Sequence, residues 1–300
     1  MKFNSSILAR RVSFLGRVID IGLITLGIAL FLTALARVLG LSHEPLSGAQ
    51  VLQGFLGLIA LLVGGLHVSS SNLEKYYSNK NLIKAVALFP VISMAILIPY
   101  RLNLQDLDSY ARRIGEGSLI EWLAFILLLF SSVLFTISGR VKKANLAHKI
   151  LIGLGACSFL LAMEEMSWGQ MIFSWKPPQI FEQINIQGET NLHNLSFVYD
   201  STWKIAAVVF VVLTVLSLIR GFLEKTNKIY PQTISDALLP PFFLFSYFCL
   251  AALIYMGVFW GRDYGKIPIL ISREQEIGEL FFALGVFIHS ARIYLKWTDN

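Results

Sequence analysis

The chain has 300 residues, of which 55% are hydrophobic and only 15% are charged, whereas soluble domains carry about 25% charged residues. With a mean hydropathy of +0.65, the apolar surface is too extensive for a water-soluble core. The apolar runs leave no polar block large enough to fold separately. We therefore predict one transmembrane domain covering residues 1–300.

The net charge of +6 does not indicate nucleic-acid binding. Lysine and arginine occur in short clusters between apolar runs and not on one continuous face, which is typical of membrane topology. Cys157 and Cys249 both lie inside apolar runs. The sequence therefore predicts neither a disulfide framework nor a cysteine-based zinc site.

Eight apolar runs are long enough to cross about 30 Å of hydrocarbon as α-helices. They cover approximately residues 18–41, 51–69, 82–100, 119–138, 149–173, 204–222, 237–260 and 277–296. A backbone in lipid must satisfy its own hydrogen bonds, so we predict an all-α polytopic bundle. The first run exceeds the roughly 7–15 apolar residues of a signal peptide, and we expect it to be a retained anchor.

The orientation follows from the basic residues. Sixteen of the 25 lysines and arginines lie in segments on the same side as the N-terminus. Because cytoplasmic segments are enriched in these residues, both termini are predicted to be cytoplasmic. Five of the six tryptophans lie at the opposite, outer ends of the predicted helices, as expected for a headgroup belt. The long segment 174–203 is then outside.

The segment Glu164-Glu165-Met166-Ser167-Trp168-Gly169-Gln170 lies near the outer end of the fifth predicted helix. Helical rise places Glu164 about 22 Å beyond Lys149, still below the outer boundary. Carboxylates at membrane depth usually face the bundle interior and mark a functional site. The alternative is that the two glutamates pair with Arg101, Arg262 or Arg273, or accept hydrogen bonds from tryptophan, and only fix helix packing.

Further ionisable residues converge on the same level. Glu189 and His193 are four residues apart in the outer segment, a spacing that suits a shared metal or an acid/base pair if the stretch is helical. Glu121 lies inside the fourth apolar run. Glu276 and Glu279 begin the eighth helix, where acids also complement the helix dipole. The other four histidines are predicted to lie far from this level or in connections.

The motifs Ile120-Glu121-Trp122, EEMSWGQ (164–170) and INIQGETNLHNL (184–195) resemble those of a family of uncharacterised bacterial multi-pass membrane proteins with EExSWGQ and NLHN-type motifs. The resemblance implies a bacterial cytoplasmic (inner) membrane protein with a site shared across the family, and it transfers no activity. A looser similarity to intramembrane ceramidase-type hydrolases fails because the chain has no HxxxH pair.

The leading hypothesis is a metal-dependent hydrolase or transferase whose site faces the outer leaflet. The candidate catalytic residues are Glu164, Glu165, His193 and Glu121. The candidate metal ligands are Glu165, His193, Glu189 and Glu279. Carboxylates with one imidazole suit zinc, manganese or iron. The expected partners are membrane lipids or a lipid-linked substrate, and the alternatives are a proton-coupled carrier and a membrane assembly partner.

The orientation gives a direct test. We expect a single cysteine at Gln187, in a background that lacks Cys157 and Cys249, to react with a membrane-impermeant thiol reagent in intact cells, because segment 174–203 is predicted to be outside. Mass spectrometry of the labelled protein measures the reaction. Labelling that appears only after the cells are opened would contradict the orientation.

Overall fold

The computed structural model describes residues 80–104, 106–115, 117–140, 146–225, 234–264 and 272–298. The α-helices are α1 (Lys80–Leu102), α2 (Leu107–Ile114), α3 (Leu119–Arg140), α4 (Leu146–Glu165), α5 (Gln170–Phe173), α6 (Gln179–Ile184), α7 (Tyr199–Lys225), α8 (Ile234–Leu238), α9 (Phe245–Tyr264) and α10 (Gln275–Thr298). Within these ranges there is no β-strand, only an isolated bridge between Asn185 and Leu195.

Six helical stretches are long and apolar enough to cross a membrane. They are Asn81–Leu102, Leu107–Arg140, Leu146–Glu165, Ser201–Glu224, Ile234–Val258 and Gln275–Trp297. Each coincides with one of the predicted apolar runs, which confirms an all-α membrane bundle for the described residues. The predicted helices at 18–41 and 51–69 lie outside those residues. The count of eight and the orientation of the termini stay predictions.

The long helices form a row in which each packs on the next. In order, the row is α4, α3, α10, α9 and α7, with α1 packed on α9. Close approach of α3 and α4 depends on a glycine, since a Cβ at Gly155 would lie 3.0 Å from the carbonyl oxygen of Ser132. Small residues commonly allow such close packing between membrane helices.

The span Ile234–Val258 is the centre of the bundle. Of its 18 most apolar consecutive residues 89% are buried, compared with 22–44% in the other spans. Side chains elsewhere face outward: Ile96, Ile205 and Phe222 are 67%, 62% and 65% exposed. Apolar residues exposed all along a span are expected where lipid replaces water as the surrounding solvent.

The predicted helix at 237–260 is interrupted near its start. Pro240 and Pro241 separate α8 from α9, because proline has no N–H and cannot continue a helix. Arg220 of α7 donates to the carbonyl oxygens of Asp236 at 3.4 Å and Leu239 at 3.0 Å. These bonds satisfy backbone oxygens that the break leaves without helical partners.

A buried charge network surrounds the same break at the predicted inner end. The carboxylate of Asp236 is fully buried and accepts from Arg220 at 3.0 Å, from Trp297 at 3.0 Å and from Arg292. Lys296 lies 3.5 Å from it. This single acid therefore joins α7, α8 and α10.

We expect Asp236→Ala to lower the free energy of unfolding by about 3–5 kcal/mol, because the substitution leaves buried cations without their anion. Denaturation in detergent, followed by circular dichroism, measures the loss. Glu182→Ala, at an exposed position of α6, is the matched control and should change stability little. Equal stability of the two variants would contradict the structural role of Asp236.

Candidate functional site

A cavity of about 440 Å³ opens among the ends of the long helices that are predicted to be outer. Six carboxylates and one imidazole line it, namely Glu121, Glu164, Glu165, Glu189, Glu276, Glu279 and His193. They come from α3, α4, α10 and the segment between α6 and α7. The structure thus places all of the predicted site residues around one space.

The helix that carries the paired glutamates ends with them. α4 stops at Glu165 and not at residue 173, since Ser167, Trp168 and Gly169 all have positive φ values of 46°, 55° and 91°. Acids at a helix C-terminus oppose the helix dipole. The left-handed conformation of a non-glycine residue costs about 1–3 kcal/mol, and such strain clusters at functional sites.

The strained turn holds the outer segment in place. Ser167 Oγ donates to Glu189 Oε2 at 2.6 Å. Gln170 Oε1 accepts from the backbone N–H of Thr190 at 2.8 Å and from its hydroxyl at 2.7 Å. The sequence motifs at 164–170 and 184–195 are therefore parts of one hydrogen-bonded unit.

Between α6 and α7, residues 185–198 of the outer segment form a loop and not a helix. Asn185 Oδ1 accepts from the backbone N–H groups of Gln187 and Glu189, and Asn185 Nδ2 donates to Asn191. Gly188 has a φ of 67°, which favours glycine at the turn. Glu189 and His193 therefore do not share a helix face, and the spacing argument for this pair does not apply.

Glu164 fixes the histidine. Its Oε1 accepts from Trp168 Nε1 at 2.5 Å. Its Oε2 accepts from the backbone N–H of Leu192 at 2.7 Å, from that of His193 at 3.1 Å and from His193 Nδ1 at 3.2 Å. A carboxylate that binds Nδ1–H sets the tautomer and leaves Nε2 as the other functional atom of the ring.

The charge of His193 responds to these acids. Burial by itself lowers the pKa of the imidazole, but the hydrogen bond to Glu164 and the carboxylates of Glu279 and Glu189 outweigh it. The resulting pKa lies above the ordinary value of 6.5. A histidine with such a pKa can donate or accept a proton near neutral pH.

The densest group is a carboxylate trio. One oxygen from each of Glu165, Glu276 and Glu279 lies within 4.8 Å of the others. Glu276 is only 5% exposed, and Tyr255 of α9 donates its hydroxyl to Glu279. Three like charges at this distance repel strongly in a buried setting, so a cation or bound protons must stabilise the trio.

Glu121 stands at the first turn of α3. It is 8% exposed, and its Oε2 accepts from the backbone N–H of Gly117 at 2.5 Å. Gly117 has a φ of 73°, which aims that N–H back at the helix start. The backbone thus holds this carboxylate at the cavity wall.

The trio differs from the predicted ligand set of Glu165, His193, Glu189 and Glu279 in three respects, since it includes Glu276 and contains neither His193 nor Glu189. Glu276 joins Glu165 and Glu279, although the sequence argument could not separate it from an acid that complements the helix dipole. Glu189 is engaged by Ser167 and by Asn191 Nδ2 at 2.7 Å. Tyr255 was not predicted, and its only sequence signal is a hydroxyl inside an apolar span.

Comparisons of the chain with protein-family models, with curated proteins and with solved structures find no match. The resemblance to membrane proteins with EExSWGQ and NLHN-type motifs therefore stays a prediction. What the site does has to be argued from its own geometry.

The pKa of His193 gives a test in metal-free protein. Histidine NMR should show its ring titrating above pH 6.5, and Glu164→Gln should move the midpoint down because the anionic acceptor is lost. The stability that this contact provides is complete below pH 6.5 and is lost as the pH rises through the raised pKa. The difference in melting temperature between wild-type protein and Glu164→Gln should therefore become smaller as the pH rises above 6.5.

The spectrum of His193→Gln assigns the signal, and His148, which is remote from the cavity lining, serves as the internal control. A His193 midpoint at or below 6.5 that Glu164→Gln does not shift would contradict the coupling between the two side chains.

Proposed function

We propose that this integral membrane protein is a metal-dependent hydrolase or transferase that acts on a lipid or lipid-linked substrate at the outer leaflet of a bacterial cytoplasmic membrane. The observation that carries the proposal is the trio of Glu165, Glu276 and Glu279, whose oxygens lie within 4.8 Å of one another. Of the three metals predicted from the sequence, manganese suits hard carboxylate oxygens best, and iron or zinc would suit the trio together with an imidazole such as that of His193.

The trio fits a divalent ion because three carboxylate oxygens lie close together at the cavity. Glu165, Glu276 and Glu279 all line the cavity, and Tyr255 donates its hydroxyl to Glu279. Two direct ligands that each lie about 2 Å from a metal are at most about 4 Å apart. The oxygens of the trio, within 4.8 Å of one another, would therefore have to move at most about 1 Å closer together to share one ion. A bound divalent metal would supply Lewis-acid activation of a carbonyl or phosphoryl oxygen and of a water nucleophile.

The surrounding residues supply the other functions of a hydrolytic site. His193, oriented by Glu164 through Nδ1, presents Nε2 as the proton carrier. Glu121 adds a carboxylate to the cavity wall. Glu189 accepts hydrogen bonds from Ser167 and Asn191, which hold the loop that carries His193 against the end of α4.

The site supports a carrier less well. Alternating access requires a polar path from both membrane faces. In the part of the chain that the structure describes, the buried acid at the opposite end, Asp236, is already bound by Arg220 and Arg292. The acids of the cavity thus serve one face of the membrane.

Elemental analysis of the purified protein tests the proposal. After exposure to zinc, manganese or iron, wild-type protein should hold close to one equivalent, and Glu165→Gln, Glu276→Gln and Glu279→Gln should each lose most of it, because each removes one anionic ligand. All variants should elute from a sizing column like wild type, since one polar contact does not hold the bundle together.

Glu182→Gln is the matched control, because Glu182 is exposed on α6 and does not line the cavity. It should retain the metal. If wild-type protein binds no more metal than a variant in which all three glutamates of the trio are replaced by glutamine, the metal-dependent function is contradicted. His193→Ala should keep the fold and abolish activity on any substrate found.

A further inference from the structure

The inner half of the cavity is apolar. Below the carboxylates it is lined by Leu128, Phe210 and Phe282 on its inner walls and by Leu161, Ala206 and Val209 at its edges. Leu128 lies seven residues below Glu121 on α3, which corresponds to about 10 Å along the helix axis. The space therefore has a polar end at the carboxylate level and an apolar end deep within the spans.

The edges of this apolar half are exposed on the side of the protein. Leu161 of α4 is 43% exposed, and Ile205 and Val209 of α7 are 62% and 41% exposed, yet all three line the cavity. α4 and α7 are the two ends of the helix row, and among the described elements they are not one of the substantially packed pairs. Among the helices that the structure describes, the cavity thus opens sideways between α4 and α7.

The depth of this opening determines what can enter. Leu161 lies within the candidate span Leu146–Glu165, and Ala206 and Val209 lie within Ser201–Glu224. Hydrocarbon surrounds a membrane protein at that depth. An apolar groove that is continuous with hydrocarbon favours an apolar chain over water, since water would find no hydrogen-bond partners there.

We infer that the cavity binds the acyl chain of an outer-leaflet lipid, which enters sideways between α4 and α7 and lies along Ala206, Val209 and Phe210. The polar end of the same lipid then reaches Glu165, Glu279 and His193. The inference rests on the proposed function for what happens to the lipid, while the binding path rests on the cavity alone.

A photoreactive lipid tests the path. The full chain is reconstituted in phosphatidylglycerol vesicles doped with phosphatidylglycerol that carries a diazirine in one acyl chain, and labelled residues are mapped by mass spectrometry. We expect labelling of the inner walls at Leu128, Phe210 or Phe282. These side chains are buried or partly buried, so lipid at the outer surface of the bundle does not reach them.

Ala206→Trp and Val209→Trp should each reduce inner-wall labelling by about tenfold, because an indole fills the lateral opening. Val208→Trp is the matched control: Val208 is 61% exposed on the same helix and does not line the cavity. It should leave inner-wall labelling unchanged. Labelling of lipid-facing Val212 should persist in every variant that folds.

Labelling confined to lipid-facing residues in wild-type protein, or inner-wall labelling that survives both cavity-filling variants, would overturn the inference. The metal measurement keeps the two proposals separate. Ala206→Trp should retain the bound metal, because Ala206 is not a member of the trio. Inner-wall labelling of a protein that binds no metal would support the lipid path and contradict the metal-dependent function. Metal binding without inner-wall labelling would support the metal site and contradict the lipid path.

Discussion

The outer half of the structure depends on the hydrogen bonds that converge on Glu164. Its Oε1 accepts a hydrogen bond from the indole N–H of Trp168, and the left-handed turn brings this indole back towards the end of α4. The other oxygen receives two backbone N–H groups and the ring of His193 from the distant loop. An ionised carboxylate makes strong hydrogen bonds of this kind. The end of α4, the loop and the histidine are therefore positioned together.

The two ends of the bundle handle charge in opposite ways. At the end predicted to be inner, Asp236 is bound by Arg220 and Arg292, and this network stabilises the broken helix. At the end predicted to be outer, six carboxylates line the cavity, and among the described lining residues there is one arginine, Arg273. A balanced network serves packing, whereas an excess of buried acids has a high electrostatic cost unless a cation or protons are bound.

Among the described helices, their order in the row explains why the cavity opens sideways. α3, α10 and α9 form its back wall, and α4 and α7, at the two ends of the row, form its edges. A membrane protein can leave such an opening in contact with lipid because no hydrophobic effect closes it.

The sequence by itself determined the helical class, the six described spans and the level at which the acids meet, because hydropathy and helical rise are properties of each segment alone. It did not determine the end of α4, where a turn with three positive φ values replaces the predicted helix. It also did not join Glu276 to Glu165 or Tyr255 to Glu279. Those contacts depend on the rotation of each helix about its axis, which packing between neighbouring helices sets and which no single segment encodes.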